Sequence, residues 1–525
     1  MTNHSSHNHA SPCHCCMSWW CPSHSSSDAS SGVNRRDFMT GVGAGAGMIA
    51  LSSLSASAAD SKDPVRNGPV CKPLKIQPVL VYGLPQRREG VSWRSWGAIQ
   101  TSQHVTEEIN RINGELESMK AKAGFPMEIL PIAQVQNPEQ GAQVAKGGHD
   151  VLLMYAAGSW GNTLEALTDP DKWTIVFLRH RSGPVYLWYE IISNRYLRKT
   201  VDEFGQPGVD TRDVVVDEYD DVLMRLRALS GLKNTMNKKI ICIGGASGWG
   251  AGGQKAPDLT RDRFNMELID VPYDELGKRI LKAKENSTLV KWCNQEAEKY
   301  LKQDGITLDT SKDFVTKCFL LTEVFHQLMA EAQTDAITVN QCMGTIMQVS
   351  ETTACLPLSL INDDGYLAFC ESDFVVIPSG ILLHYISGKP AFLQDPTYPH
   401  NQIVTLAHCT APRKMDGEHL EPAKILTHFE SDWGAAPKVE MKLGQKITVI
   451  DPDFNFNRWL GFEAEIIDNP FLDICRSQID IQFQCDTDQL NDETRGFHWM
   501  LCYDNYLKET EYAVRKAGME WKTLA

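Results

Sequence analysis

The chain has little positive charge to spare. Its 525 residues carry a net charge of -15 at pH 7, which argues against a nucleic-acid partner or an anionic membrane surface and leaves a neutral small molecule or a cation as the better fit. Past position 58 no apolar run is long enough to suggest a membrane span, so no stable membrane anchor is expected. Fifteen cysteines are present, but the eleven from Cys71 to Cys502 are scattered, odd in number and without a C-x-x-C pair. A disulfide framework is therefore not indicated, and most of them are expected as small buried apolar side chains. Internal sequence repeats are also absent. At this length one hydrophobic core is not enough, and several domains are expected.

What is present begins with an address. Asn34 to Thr40 reads N-R-R-D-F-M-T and precedes a weakly apolar, glycine-rich stretch, with Ala56-Ser57-Ala58 offering the small residues of a cleavage site. These parts resemble a bacterial twin-arginine (Tat) export signal, which implies the Tat export machinery as a partner, a periplasmic location and a metal loaded before export. Upstream, N-H-S-S-H-N-H-A-S-P-C-H-C-C-M-S-W-W-C has soft-metal residue types too crowded for paired zinc spacing. It reads as a disordered extension of the signal region, 1–58, or as translation from a start upstream of Met17.

From Lys75 to about Arg181 short apolar runs such as D-V-L-L-M-Y-A-A-G alternate with amphipathic stretches, of which Val105 to Ala123 is the clearest helix. That is the pattern of a parallel sheet with helical crossovers. It restarts at Lys238 with K-K-I-I-C-I-G-G-A-S-G-W-G-A-G-G. The fold class expected is thus α/β: a doubly wound lobe over 75–232, a second over 238–335, and a β-rich, barrel-like domain over 336–525, where short alternating strands are separated by Gly, Pro and Asp turns. The glycine-rich turn Gly244 to Gly253 matches neither G-x-G-x-x-G nor a Walker A loop and is read as a tight turn without a nucleotide.

Chemistry concentrates in three segments. The first is Q-V-S-E-T-T-A-C-L-P at Gln348 to Pro357, and the second is L-A-F-C-E-S-D-F-V-V-I-P at Leu367 to Pro378. The third is R-G-F-H-W-M-L-C-Y-D-N-Y at Arg495 to Tyr506. The second reads as a buried strand, on which Glu371 and Asp373 would share a face and would repel unless protonated, paired or bound to a cation. Two carboxylates and an imidazole are a reasonable set for Mn²⁺ or a similar divalent ion.

In their order these segments resemble the L-fucose isomerase family of sugar isomerases: Glu351 stands 22 residues before Asp373, and His498 lies shortly before the last helix. The resemblance implies two α/β lobes followed by a barrel-like domain, a small-molecule sugar as partner, and a divalent metal ion of the Mn²⁺ type held by Glu351, Asp373 and His498. It further implies that Glu351 and Asp373 act as the acid/base pair of an aldose–ketose isomerase working through an enediol. Glu371 is then expected to orient a ligand or a sugar hydroxyl. His408, in T-L-A-H-C-T-A-P, is expected either as a hydrogen-bonded core histidine or as a hydroxyl-binding residue, with Asp395 and His400 weaker candidates. A homo-oligomer is also expected. Two alternatives stay open: an exported sugar-binding protein without catalysis, and a metal-dependent epimerase or dehydratase of a sugar acid.

Overall fold

The apolar runs of the first lobe become β1 (Leu74–Val81), β2 (Met127–Ile129), β3 (Ala133–Val135), β4 (Val151–Ala156), β5 (Trp173–Leu178) and β6 (Val214–Val216). They are seen in a computed structural model that describes residues 71–94, 99–158, 161–186, 197 and 206–525. The paired arginines, the cleavage site and the His/Cys-rich segment lie outside these residues. The first sheet is parallel throughout, in the order β2-β1-β4-β5-β6, with β3 taking the far half of the β1 edge that β2 begins. Strand β4 shows why a continuous apolar run was needed. Val151, Leu153 and Tyr155 enter one core while Leu152, Met154 and Ala156 enter another, as a sheet covered on both faces requires.

The next strands are β7 (Lys239–Ile243), β8 (Glu267–Val271), β9 (Ile306–Asp309), β10 (Ala336–Val339) and β11 (Leu367–Cys370). Four of them form a second parallel sheet in the order β11-β10-β7-β8. This sheet runs past the expected lobe boundary at 335, because β10 and β11 complete it. The chain leaves β7 toward one side and returns at β10 on the other. Such a switch in strand order opens a crevice at the carboxyl ends of the strands, where α/β sheets commonly place ligands.

The remaining strands are β12 (Phe392–Pro396), β13 (Ile403–His408), β14 (Ala423–Leu426), β15 (Ala436–Val439), β16 (Lys446–Pro452), β17 (Arg458–Asp468), β18 (Ser477–Phe483), β19 (Trp499–Tyr503) and β20 (Glu520–Leu524). Six of these close an antiparallel barrel, β16-β19-β12-β13-β18-β17 and back to β16. Strand β20 extends it beside β17, and β14 and β15 join β9 in a small separate sheet. Alternation along β19 sends Trp499, Leu501 and Tyr503 into the barrel core and Met500 and Cys502 into the core shared with the lobes.

The segment after β11 departs from the expected strand. Glu371 and Ser372 both take left-handed φ, 63° and 49°, so the strand stops at Cys370 and the chain turns. A helix begins at Ile377 with Pro378 in its first turn, a position proline favours. All residues of that helix, Ile377–Ser387, are buried. It packs on the helix Tyr219–Thr235 of the first lobe and on β19 of the barrel, so burial of its Ile and Leu side chains, about 1.5–3 kcal/mol each, joins the three parts. Further on, W-M-L-C-Y forms β19, and the last helix begins at Leu507. Among the described residues, no helix is long and apolar enough to cross a membrane, and no disulfide joins the eleven cysteines.

The glycine-rich turn after β7 is tight in a literal sense. A Cβ on Gly248 would lie 2.0 Å from the Gly253 carbonyl oxygen, and backbone cannot yield as a side-chain tip can. Gly248→Ala is expected to cost about 1–3 kcal/mol and to lower the thermal unfolding midpoint; an unchanged midpoint would contradict this packing.

Candidate metal centre

The two carboxylates after β11 are set apart by backbone. Asp373 is pinned: its Oδ1 accepts the N–H groups of Trp249 and Val375, each at 3.1 Å, and its Oδ2 faces His498 Nδ1 at 2.7 Å. The glycine-rich turn supplies Trp249, and it is itself laced to the turn after β11 by Ser247 N–H to Ser372 carbonyl and Phe374 N–H to Ser247 carbonyl. Trp249 stacks on Phe497 at 4.3 Å and meets the edge of His498 at 5.4 Å.

With Nδ1 held by Asp373, His498 turns Nε2 toward two other acids, 3.1 Å from Asp395 Oδ1 and 3.3 Å from Glu371 Oε2. His408 Nε2 lies 3.7 Å from Glu371 Oε1, its Nδ1 lying 3.3 Å from Thr410 Oγ1. Register explains the grouping. On β12 and β19 Gln394 faces Trp499, so Asp395 stands one step further on, beside His498. On β13, Ala407 faces Asp395, and His408 follows it. The barrel thus contributes Asp395, His408 and His498 from three adjacent strands, and the second sheet contributes Glu371.

His408 Nε2, His498 Nε2 and Asp395 Oδ1 are buried and make no hydrogen bond. Buried polar atoms are rarely left so. Atoms this close that do not bond one another fit a shared cation, and Glu371, His408 and His498 together offer ligand atoms within 4.8 Å of one another. The residues therefore suit a metal ion, with Asp395 positioned to complete the set.

Charge tells the same story. Burial alone would lower the pKa of His498, but Asp395, Asp373 and Glu371 push it well above that of an ordinary histidine. Burial likewise opposes His408, whose pKa Glu371 and Asp395 raise. Burial would raise the Glu371 carboxyl, yet His408 and His498 hold it below the usual carboxylate range. The acids demand positive charge at this spot, whether from protons or from a metal.

Several expectations are corrected here. Glu351 does not join the cluster: it caps the helix Thr345–Ser350 in a left-handed conformation and its half-exposed carboxylate pairs with Lys284 at 2.9 Å and Lys317 at 3.2 Å. Asp373 positions His498, its carboxylate already used by one imidazole and two amides. Glu371, expected to play the lesser part, reaches into the cluster. His408 and His498 both bring Nε2 close to the Glu371 carboxylate. His400 lies apart, its Nδ1 against the Tyr398 carbonyl. Asp395, expected as a weaker candidate, joins the cluster; its signal in the sequence is modest, an acid at the end of a short strand, paired with the strand that ends in His408.

Comparison of the chain with family models and with curated protein sequences finds no match. The fold and site define an α/β protein with two parallel lobes, a closed barrel and a buried Glu/Asp/His cluster suited to a metal.

The loop carrying His498 hangs on Asp451, which accepts the N–H groups of Arg495 and Gly496 at 2.7 Å each. Burial nevertheless pushes the Asp451 carboxyl up to about 7, above the unfolded value of about 3.9. Folding therefore favours the protonated form, and the contribution is full below about pH 4 and lost as pH rises through about 7. Stability is expected to fall over that window by on the order of a few kcal/mol, read as a falling thermal midpoint, and Asp451→Asn to flatten the slope. Identical slopes in the two proteins would refute the assignment.

Proposed function

We propose that the chain is a metal-dependent aldose–ketose isomerase acting on a small-molecule sugar. The observation that carries this reading is the meeting of Glu371, Asp395, His408 and His498 with three buried ligand atoms unbonded. Two carboxylates and two imidazoles suit a divalent cation such as Mn²⁺. When bound, that ion would supply Lewis acidity beside the C1 and C2 oxygens of the sugar, lowering the cost of negative charge as the enediol forms. The parallel lobes and closed barrel agree with the layout that resemblance to the L-fucose isomerase family implies.

In this reading the proton work falls to Glu371 and Asp395, the acids of the cluster that reach solvent, at 17% and 25% exposure. One carboxylate takes the proton from the hydroxyl-bearing carbon, and it is returned to the neighbouring carbon, while the hydroxyl proton passes to the former carbonyl oxygen. Nothing is gained or lost overall. Asp373 keeps His498 in one tautomer and one orientation, and Trp249 with Phe497 presents an apolar wall beside it. The paired arginines Arg35 and Arg36 extend the proposal to export after the metal is loaded.

The test is to incubate the Mn²⁺-loaded protein with pentoses, hexoses and deoxyhexoses in D₂O and follow exchange by NMR. Deuterium is expected at C1 or C2. Deuterium elsewhere would favour an epimerase or dehydratase, and sugar binding without exchange would favour a binding protein. Glu371→Gln and Asp395→Asn are expected to slow exchange by at least about 10²-fold. Asp373→Asn is expected to weaken metal binding by about 10–100-fold, and Glu351→Gln to leave both within about twofold, as a surface ion pair would. Full exchange in Glu371→Gln would sink the assignment.

A further inference from the structure

A second group of ligand atoms meets at Glu371. The Cys342 and Cys370 thiols and a Glu371 carboxylate oxygen lie within 4.8 Å of one another. Both thiols are buried, at 8% and 3% exposure, and neither is in a disulfide. Cys370 ends β11, and Cys342 lies in the turn after the neighbouring parallel strand β10, whose Val339 is in register with Cys370. Left-handed conformations at Gln341 and at Glu371, one beside each thiol, bend both strand ends at this point. The Tyr273 hydroxyl donates to the Asn340 carbonyl in the same turn.

We propose that Cys342, Cys370 and Glu371 form a second cation site, for a thiophilic divalent ion such as zinc, and that Glu371 is shared between this ion and the one held with Asp395, His408 and His498. Donor softness separates the two places. Thiolates select zinc-like ions, whereas carboxylate and imidazole also accept a harder ion such as Mn²⁺. Zinc–sulfur bonds of about 2.3 Å in tetrahedral geometry set the sulfurs about 3.8 Å apart, so the observed spread closes with small side-chain movements. Each thiol gives its proton to solvent as its bond to the ion forms, and the carboxylate needs no change of state. Glu371 is partly exposed, which leaves room for a water molecule as the fourth ligand. The site does not depend on the reaction being an isomerisation.

The experiment uses the full chain with Cys13→Ser, Cys15→Ser, Cys16→Ser and Cys21→Ser in every protein compared, so that the amino-terminal thiols contribute nothing. Reduced, chelator-stripped protein is titrated with Co²⁺ and with Zn²⁺, and read by metal content and by the thiolate-to-cobalt charge-transfer band. About two equivalents and a clear band are expected. Cys342→Ser with Cys370→Ser should lose about one equivalent and the band, whereas His408→Ala with His498→Ala should lose the other equivalent and keep the band. X-ray absorption at the zinc edge of the unsubstituted site reads sulfur neighbours directly, whether or not the serine variant folds. About one equivalent with no sulfur neighbours, or a Cys342–Cys370 disulfide in the reduced preparation, would overturn the site. Absent deuterium exchange with both equivalents intact would instead count against the reaction alone.

Discussion

The hydrogen bond between His498 Nδ1 and Asp373 Oδ2 is the interaction on which the site depends. It joins residues 125 apart in sequence, one entering a barrel strand and the other leaving a parallel sheet. Without it, His498 would lose the acceptor that fixes which ring nitrogen faces Asp395 and Glu371. The bond is strong because both partners are buried and because the Asp373 carboxylate is fixed by two backbone amides before the imidazole arrives. The glycine-rich turn, the left-handed residues after β11 and the Trp249–Phe497 stack all serve that alignment.

The arrangement has a thermodynamic cost that the rest of the fold must offset. Two consecutive left-handed residues that are not glycine, Glu371 and Ser372, cost on the order of 1–3 kcal/mol each. Several buried ionisable groups within a few ångströms add desolvation that their mutual attraction only partly returns. The buried helix Ile377–Ser387 begins a few residues later and contacts lobe and barrel at once. Strain at Glu371 is thus flanked by some of the most extensive apolar burial in the chain, which is where it can be held. The strain has a purpose in geometry: it lets Glu371 and Asp373, two residues apart, face different partners.

Much of the architecture was legible because period and length are local properties. Strands β1, β4, β5, β7 and β13 and the helices Ser102–Ala121 and Lys312–Ala332 carry their periodicity in their own residues. The barrel was legible as alternation with turns, although its closure through β16 and β17 was not. The site was half legible. His408 and His498 sit at strand ends, where a histidine in an apolar run draws notice. Order along the chain points to Glu351 and Asp373, but order cannot see that Glu351 meets Lys284 and Lys317, which approach it from two other helices. Nor can it see register, which alone places Asp395 beside His498.

The pair C-E-S-D shows the physical limit of reading a face from spacing. On a regular strand Glu371 and Asp373 would be equivalent neighbours on one side. Because the strand ends at Cys370, Asp373 falls where backbone amides from two segments can neutralise it, and it becomes a fixed acceptor. Glu371 receives no such amide and keeps both oxygens for cations. A carboxylate with saturated hydrogen bonds orients, and one with spare lone pairs binds; which is which was decided by two φ angles and not by residue type. The same turn brings Cys370 to the near side of Glu371 and the imidazoles to the other partners of its carboxylate. One side chain therefore stands between soft and hard donors, and its geometry has consequences for both.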